Sequence, residues 1–180
     1  TWPYDRELML GLRQNGVAPL IFGKALAARE APGAQPGLVE HFYPSLAGGP
    51  IAAMPRPLRR GFKGVSHAMS LARLLPALKR VRPDVIHFQW APLPVVDRLF
   101  LPALRRVAPL VLTVHDSTPF NGNPGARIQQ IGAVSILRAF EALIVHTEQA
   151  RRRLVEYGLP ADKLTLIPHG LLHDGGAAMD

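Results

Sequence analysis

Three of the seven histidines close short apolar runs: His115 after residues 110–114, His146 after 143–145, and His169 after 164–168. A neutral imidazole in such a place can donate a hydrogen bond to a hydroxyl, or take its proton as a base near neutral pH. His115 is followed by Asp116, whose carboxylate can accept from a bound hydroxyl. The same pair also suits a strand end followed by an Asx turn before Pro119. Trp90 closes a fourth apolar run and offers a ring face for stacking on a sugar, or simply a pocket wall. Thr147 suits a helix N-cap and Glu148 its first turn, where a carboxylate complements the helix dipole. The amides of that turn can also meet a phosphate or a sugar hydroxyl. His87, inside a run, reads as a core residue. Arg56, Arg59, Arg60 and Lys63 form a basic patch ahead of an apolar helix.

The elements that must position these groups follow from periodicity. Helical spacing of Tyr4, Leu8 and Leu12 predicts a helix over 4–15, with Gly16 as its C-cap glycine. Strands are predicted at 17–22 and 39–43, with a Pro/Gly-rich loop at 25–37 and an irregular stretch at 44–57. The next helix carries Leu71, Leu74, Leu75 and Leu78 on one face, and Pro76 is expected to kink or end it. Strands then alternate with helices: strands at 84–90, 110–115, 143–146 and 164–168, helices at 95–106, 128–140 and 148–157. A polar loop separates 110–115 from the helix that follows, at 116–125. Mostly continuous apolar strands of this kind belong to a parallel sheet covered on both faces, so the fold class is α/β, Rossmann-like and doubly wound. Ligands of such sheets bind beyond the carboxyl ends of the strands, where the polar residues named above fall. A doubly wound unit opens on a strand that lies centrally, whereas this sequence opens on a helix; the expectation is that a first strand precedes Thr1.

The chain has 180 residues, enough for one domain with a real core. It carries a formal net charge of +8, with arginine far ahead of lysine. That balance favours anionic partners, or reflects an arginine-rich genome. No motif for nucleic-acid binding accompanies it, so nucleic acid is not an expected partner. There are no cysteines, which excludes disulfides and thiolate metal sites and fits a reducing compartment. No run approaches a membrane span, and the N-terminus lacks a signal-peptide pattern. Neither a G-x-S-x-G elbow nor a phosphate-cradling G-x-x-x-x-G-K-[ST] loop occurs, and no helical metal-ligand spacing is present.

Four stretches, taken in order, resemble the retaining GT-B glycosyltransferases of family 4. They are Arg82-Pro83-Asp84-Val85-Ile86-His87, Leu112-Thr113-Val114-His115-Asp116, Ala142-Leu143-Ile144-Val145-His146-Thr147-Glu148, and Gly158-Leu159-Pro160-Ala161-Asp162-Lys163-Leu164 with Ile167-Pro168-His169-Gly170. The resemblance implies an acceptor-side, N-terminal domain over residues 1–170, with 171–180 beginning a linker to a donor-binding domain. It implies transfer of a sugar from a nucleotide-sugar to a glycan or lipid-linked acceptor, with retention of configuration. His115 is then the active-site histidine near the transferred sugar, with Asp116 beside it. Trp90, Thr147, Glu148, His169 and Gly170 are substrate-binding candidates, and His169-Gly170 leads towards the second domain. Such enzymes generally need no metal ion, so no cofactor and no metal are expected. The donor-engaging carboxylate pair of the family belongs to the second domain, and the 180 residues alone are expected to be inactive. In relatives with lipid-linked acceptors, the region of Arg56, Arg59, Arg60 and Lys63 resembles a membrane-facing surface, which implies a cytoplasmic protein at the inner face of an acidic membrane. Two other readings stay open: a GT-B sugar-nucleotide epimerase, and a non-catalytic domain binding a glycan or a protein partner.

Overall fold

The computed structural model describes residues 2–24, 39–43, 55–115 and 134–170. Asp116 and the loops at 25–37 and 116–125 lie outside the described residues, as do 44–54 and 128–133. Arg56, Arg59 and Arg60 are described by their helical backbone alone. The described residues divide into two compact units, one within Thr1–Arg59 together with Gly170, the other Arg60–His169.

In the first unit, helix α1 (Trp2–Gln14) ends where the sequence places its glycine. Gly16 takes φ 77°, and the amide of Val17 reaches back to the Leu12 carbonyl at 3.0 Å. That closing bond, with Pro19 lacking an N–H, keeps 17–20 out of a ladder. The strand expected at 17–22 therefore forms later, as β1 (Ile21–Lys24). It pairs in parallel with β2 (Val39–Tyr43), Ile21 opposite Val39.

Helix α2 (Arg56–Val81) begins at the boundary of the second unit. It takes in the basic patch, which is thus the start of the helix rather than a segment ahead of it. Pro76 does not end it. The ring is exposed, as is Ala72, whose carbonyl loses its helical partner, so water can satisfy that group. Pro102 is accommodated in the same way inside α3 (Pro94–Arg105), where it and Arg98 both face solvent. Leu71, Leu74 and Leu78 of α2 are buried, and so are Leu101 and Leu104 of α3. Asp97 of α3 is only 2% exposed. Its Oδ2 accepts from the Leu93 amide at 2.9 Å, and its Oδ1 lies 2.5 Å from Nε2 of His67 on α2.

Four strands complete the second unit: β3 (Ile86–Phe88), β4 (Leu110–Val114), β5 (Ala142–Val145) and β6 (Leu164–Leu166). They form one parallel sheet in the order β3-β4-β5-β6. β3 and β6 are shorter than the strands expected at 84–90 and 164–168, β4 ends one residue early and β5 begins one residue early, but the α/β class and the parallel sheet are as the sequence predicts. Successive strand residues point to opposite faces. Leu112, Thr113 and Val114 are all buried, so β4 is covered on both sides. Phe140, Leu110 and Leu143 are fully enclosed, each contributing about 2 kcal/mol of burial. Phe140 meets Phe88 edge-on at 5.5 Å. Residues 134–137 form a helical turn within the helix expected at 128–140. Helix α4 (Glu148–Glu156) is capped by Thr147 and closed by Gly158 at φ 79°, with the Leu159 amide on the Leu154 carbonyl.

Candidate functional site

Parallel register brings the strand-end histidines together. Val114 pairs with Val145, so the next residues, His115 and His146, are neighbours across the strand gap. The Val145–Leu166 pairing continues past β6, with the Ile167 amide on the Val145 carbonyl at 2.9 Å. His169 lies two residues further, on the same side of an extended chain as Ile167. The His146 and His169 rings stack at 3.8 Å between centroids, and His115 stands 5.4 Å from His146 and 6.4 Å from His169. Trp90, just past β3, stacks on the other neighbour of the row, His115, at 4.7 Å and 21°. Four aromatic rings thus line the carboxyl edge of four adjacent strands.

Hydrogen bonds fix how these rings present their nitrogens. The hydroxyl of Thr113, buried on β4, lies 2.8 Å from Nε2 of His87. The Gln89 amide nitrogen lies 3.4 Å from the same His87 atom. This orients the Gln89 carbonyl oxygen towards His115, whose Nε2–H donates to it at 3.2 Å. The lone pair of His115 is left on Nδ1. His146 is set the opposite way, since its Nδ1–H donates to the Ile167 carbonyl at 2.8 Å. Burial is the main cause that lowers His115 from the usual 6.5 to about 4, with His146, His169 and His87 adding repulsion. His87 is lowered by burial, and His169 by burial and then by His146. His115 is therefore neutral across the physiological range.

The remaining candidates are placed less centrally. Thr147 Oγ1 accepts from the Ala150 amide at 3.1 Å, a helix cap that uses one of its two lone pairs. Glu148 is exposed, 3.7 Å from both Arg151 and Arg152. Gly170 is exposed beside His169, and Lys63 is exposed on α2. A groove of about 510 Å³ lies elsewhere, lined by Lys79, Arg82 and Arg106 among others. It sits where the chain enters β3 and β4, at the opposite edge of the sheet, and shares no residue with the histidines.

The sequence pattern of Glycosyltransferase Family 4 matches residues 5–173. The chain belongs to glycosyltransferase family 4. A search of curated proteins finds no match to it. The family match spans the whole four-stranded sheet of this glycosyltransferase chain and all three clustered histidines. The sequence groups His146 with His115 and His169 as strand-end histidines but does not single it out, or Gln89, as a catalytic or substrate-binding candidate. Both carried a signal: His146 holds the same place after β5 as His115 after β4, and Gln89 precedes the tryptophan at the end of β3.

Proposed function

We propose that this family-4 domain is the acceptor side of a retaining glycosyltransferase, moving a sugar from a nucleotide-sugar to a glycan or lipid-linked acceptor. The observation that supports it best is the neutral, oriented His115 stacked on Trp90 at the carboxyl edge of the sheet. A neutral imidazole binds a sugar hydroxyl by hydrogen bonding without bringing a charge. A base near pKa 4 is too weak to drive proton abstraction at neutral pH, so the hydrogen-bonding role is favoured over general-base catalysis. Trp90 keeps 52% of its surface open, an apolar face for the pyranose ring. Asp116 follows His115 in the chain and is assigned to the acceptor hydroxyl. The donor belongs to a second, donor-binding domain of the family architecture.

The acceptor is further proposed to arrive from an acidic membrane. On α2, Phe62, Val65 and Met69 are exposed and share one face. At 100° per residue they lie opposite the buried Leu71, Leu74 and Leu78. Lys63, the residue after Phe62, is exposed, and the basic start of α2 precedes the stripe.

Acceptor-dependent release of nucleotide tests the main reading, measured on the 180-residue chain and on a longer form carrying a donor-binding half. The longer form is expected to turn over and the 180-residue chain is not. His115→Ala is expected to lower kcat/KM on the order of 100-fold, as loss of one oriented hydrogen-bonding group in a reactive site does. Turnover unchanged by His115→Ala overturns the role of the histidine. Donor breakdown that ignores the acceptor favours the epimerase reading.

A further inference from the structure

We infer that His115, His146 and His169 form a binding site for a divalent transition metal of the zinc type. Each of the three offers one nitrogen, and these nitrogens all lie within 4.8 Å of one another. Zinc–imidazole bonds of 2.0–2.1 Å set tetrahedral ligand nitrogens about 3.4 Å apart, so the nitrogens must approach by at most about 1.4 Å, and the His146 and His169 rings, stacked at 3.8 Å, must unstack to turn their in-plane lone pairs to one ion. His169 is exposed on the segment beyond β6 and is the ring with room to make that movement.

The surroundings of the rings fit the same ligand. A metal-bound imidazole normally donates its other N–H to a carbonyl or carboxylate, which fixes the tautomer and turns the lone pair towards the ion. His146 donates Nδ1–H to the Ile167 carbonyl, and His115 donates Nε2–H to the Gln89 carbonyl oxygen. Two of the three rings therefore already have the outer partner that a ligand histidine uses. An all-imidazole set selects zinc, copper, nickel or cobalt over magnesium, calcium and manganese, which favour oxygen. Three protein ligands leave a fourth position open. His115 and His146 directly follow the adjacent strands β4 and β5, and His169 comes from the segment three residues past β6.

This inference does not rest on the transferase reading, and it departs from the family resemblance, which implies no metal. The two meet at one atom: Nδ1 of His115 is the lone pair that either a metal or a hydroxyl proton would take. Bound zinc and a sugar hydroxyl are therefore mutually exclusive at His115.

The test is direct titration of the full chain with Zn2+ against a chromophoric chelator, and with Co2+ followed by its ligand-field absorption. One equivalent of Zn2+ is expected to bind, and Co2+ to give the intense visible bands of a four-coordinate site. His169→Ala and His146→Ala are each expected to weaken binding at least tenfold and to remove those bands. Should His146→Ala fail to fold, the exposed His169→Ala carries the comparison alone. No binding by the wild type, or equal affinity in His169→Ala, overturns the site. Neither readout uses transferase activity, so failure here and failure of the proposed function are separate results.

Discussion

At the scale of single residues, the sheet edge makes a histidine behave unlike histidine. His115 faces His146 and His169 across the strand gaps, Trp90 on its ring face, and His87 through Gln89. Burial and these neighbours hold it neutral down to about pH 4. In the unfolded chain the same side chain takes up its proton near pH 6.5. Between those values the unfolded state binds more protons than the native one, so stability falls as pH falls through the window. Above about 6.5 this residue adds no pH dependence to stability. His87 and His169 are lowered too and act in the same direction. The midpoint of thermal unfolding, followed in chelator-containing buffers from pH 7 to 4, is expected to drop across that range. In His115→Gln the drop should be shallower, because glutamine does not titrate. A slope identical to that of the wild type would show that burial of His115 does not control its proton.

At the scale of elements, α2 and α3 are tied by a carboxylate that looks unremarkable in the sequence. Asp97 reads as one more charge in the first turn of a helix, yet it is almost fully enclosed and shared between the Leu93 amide and His67. Removing His67 leaves that oxygen without its cationic or donor partner. His67→Ala is expected to cost about 3 kcal/mol in denaturant unfolding, the scale for breaking a buried pair. A cost under about 1 kcal/mol would mean that water replaces the imidazole. What the sequence could and could not reveal divides along similar lines. Continuous apolar runs bounded by turn residues made β3 to β6 legible, although β6 leaves Thr165 and Leu166 exposed. Gly16 and Gly158 made two helix ends legible, because both sit at positive φ. That Pro76 does not end its helix was not legible, because the cost of an interior proline depends on whether the orphaned carbonyl meets water, which only the fold decides. The carboxyl-edge location of the site was legible from the strand-end histidines. Their stacking was not, since it depends on the Val114–Val145 and Val145–Leu166 registers.

At the scale of the whole molecule, the open question of chemistry is why a chain of net charge +8 leaves an apolar stripe on the outer side of α2. No helix among the described residues is long and apolar enough to cross a membrane, so any membrane contact through α2 is one of lying on the surface. Two forces then act together and separate experimentally. Cations near an acidic leaflet gain roughly 1 kcal/mol each, and salt weakens this because the screening length is only about 10 Å at 0.1 M. Insertion of Phe62, Val65 and Met69 gains from apolar burial and responds little to salt. Co-sedimentation with vesicles is therefore expected to rise with anionic lipid content and to fall as salt is added. Replacing Phe62, Val65 and Met69 by serine should lower binding at every salt concentration while leaving the salt slope in place. Reversing Arg59 and Arg60 to glutamate should flatten the slope instead. Those two variants failing in the same way would reduce the contact to simple charge attraction. Binding that is equal on neutral and acidic vesicles would remove the membrane from the proposed function and leave the acceptor to arrive from solution.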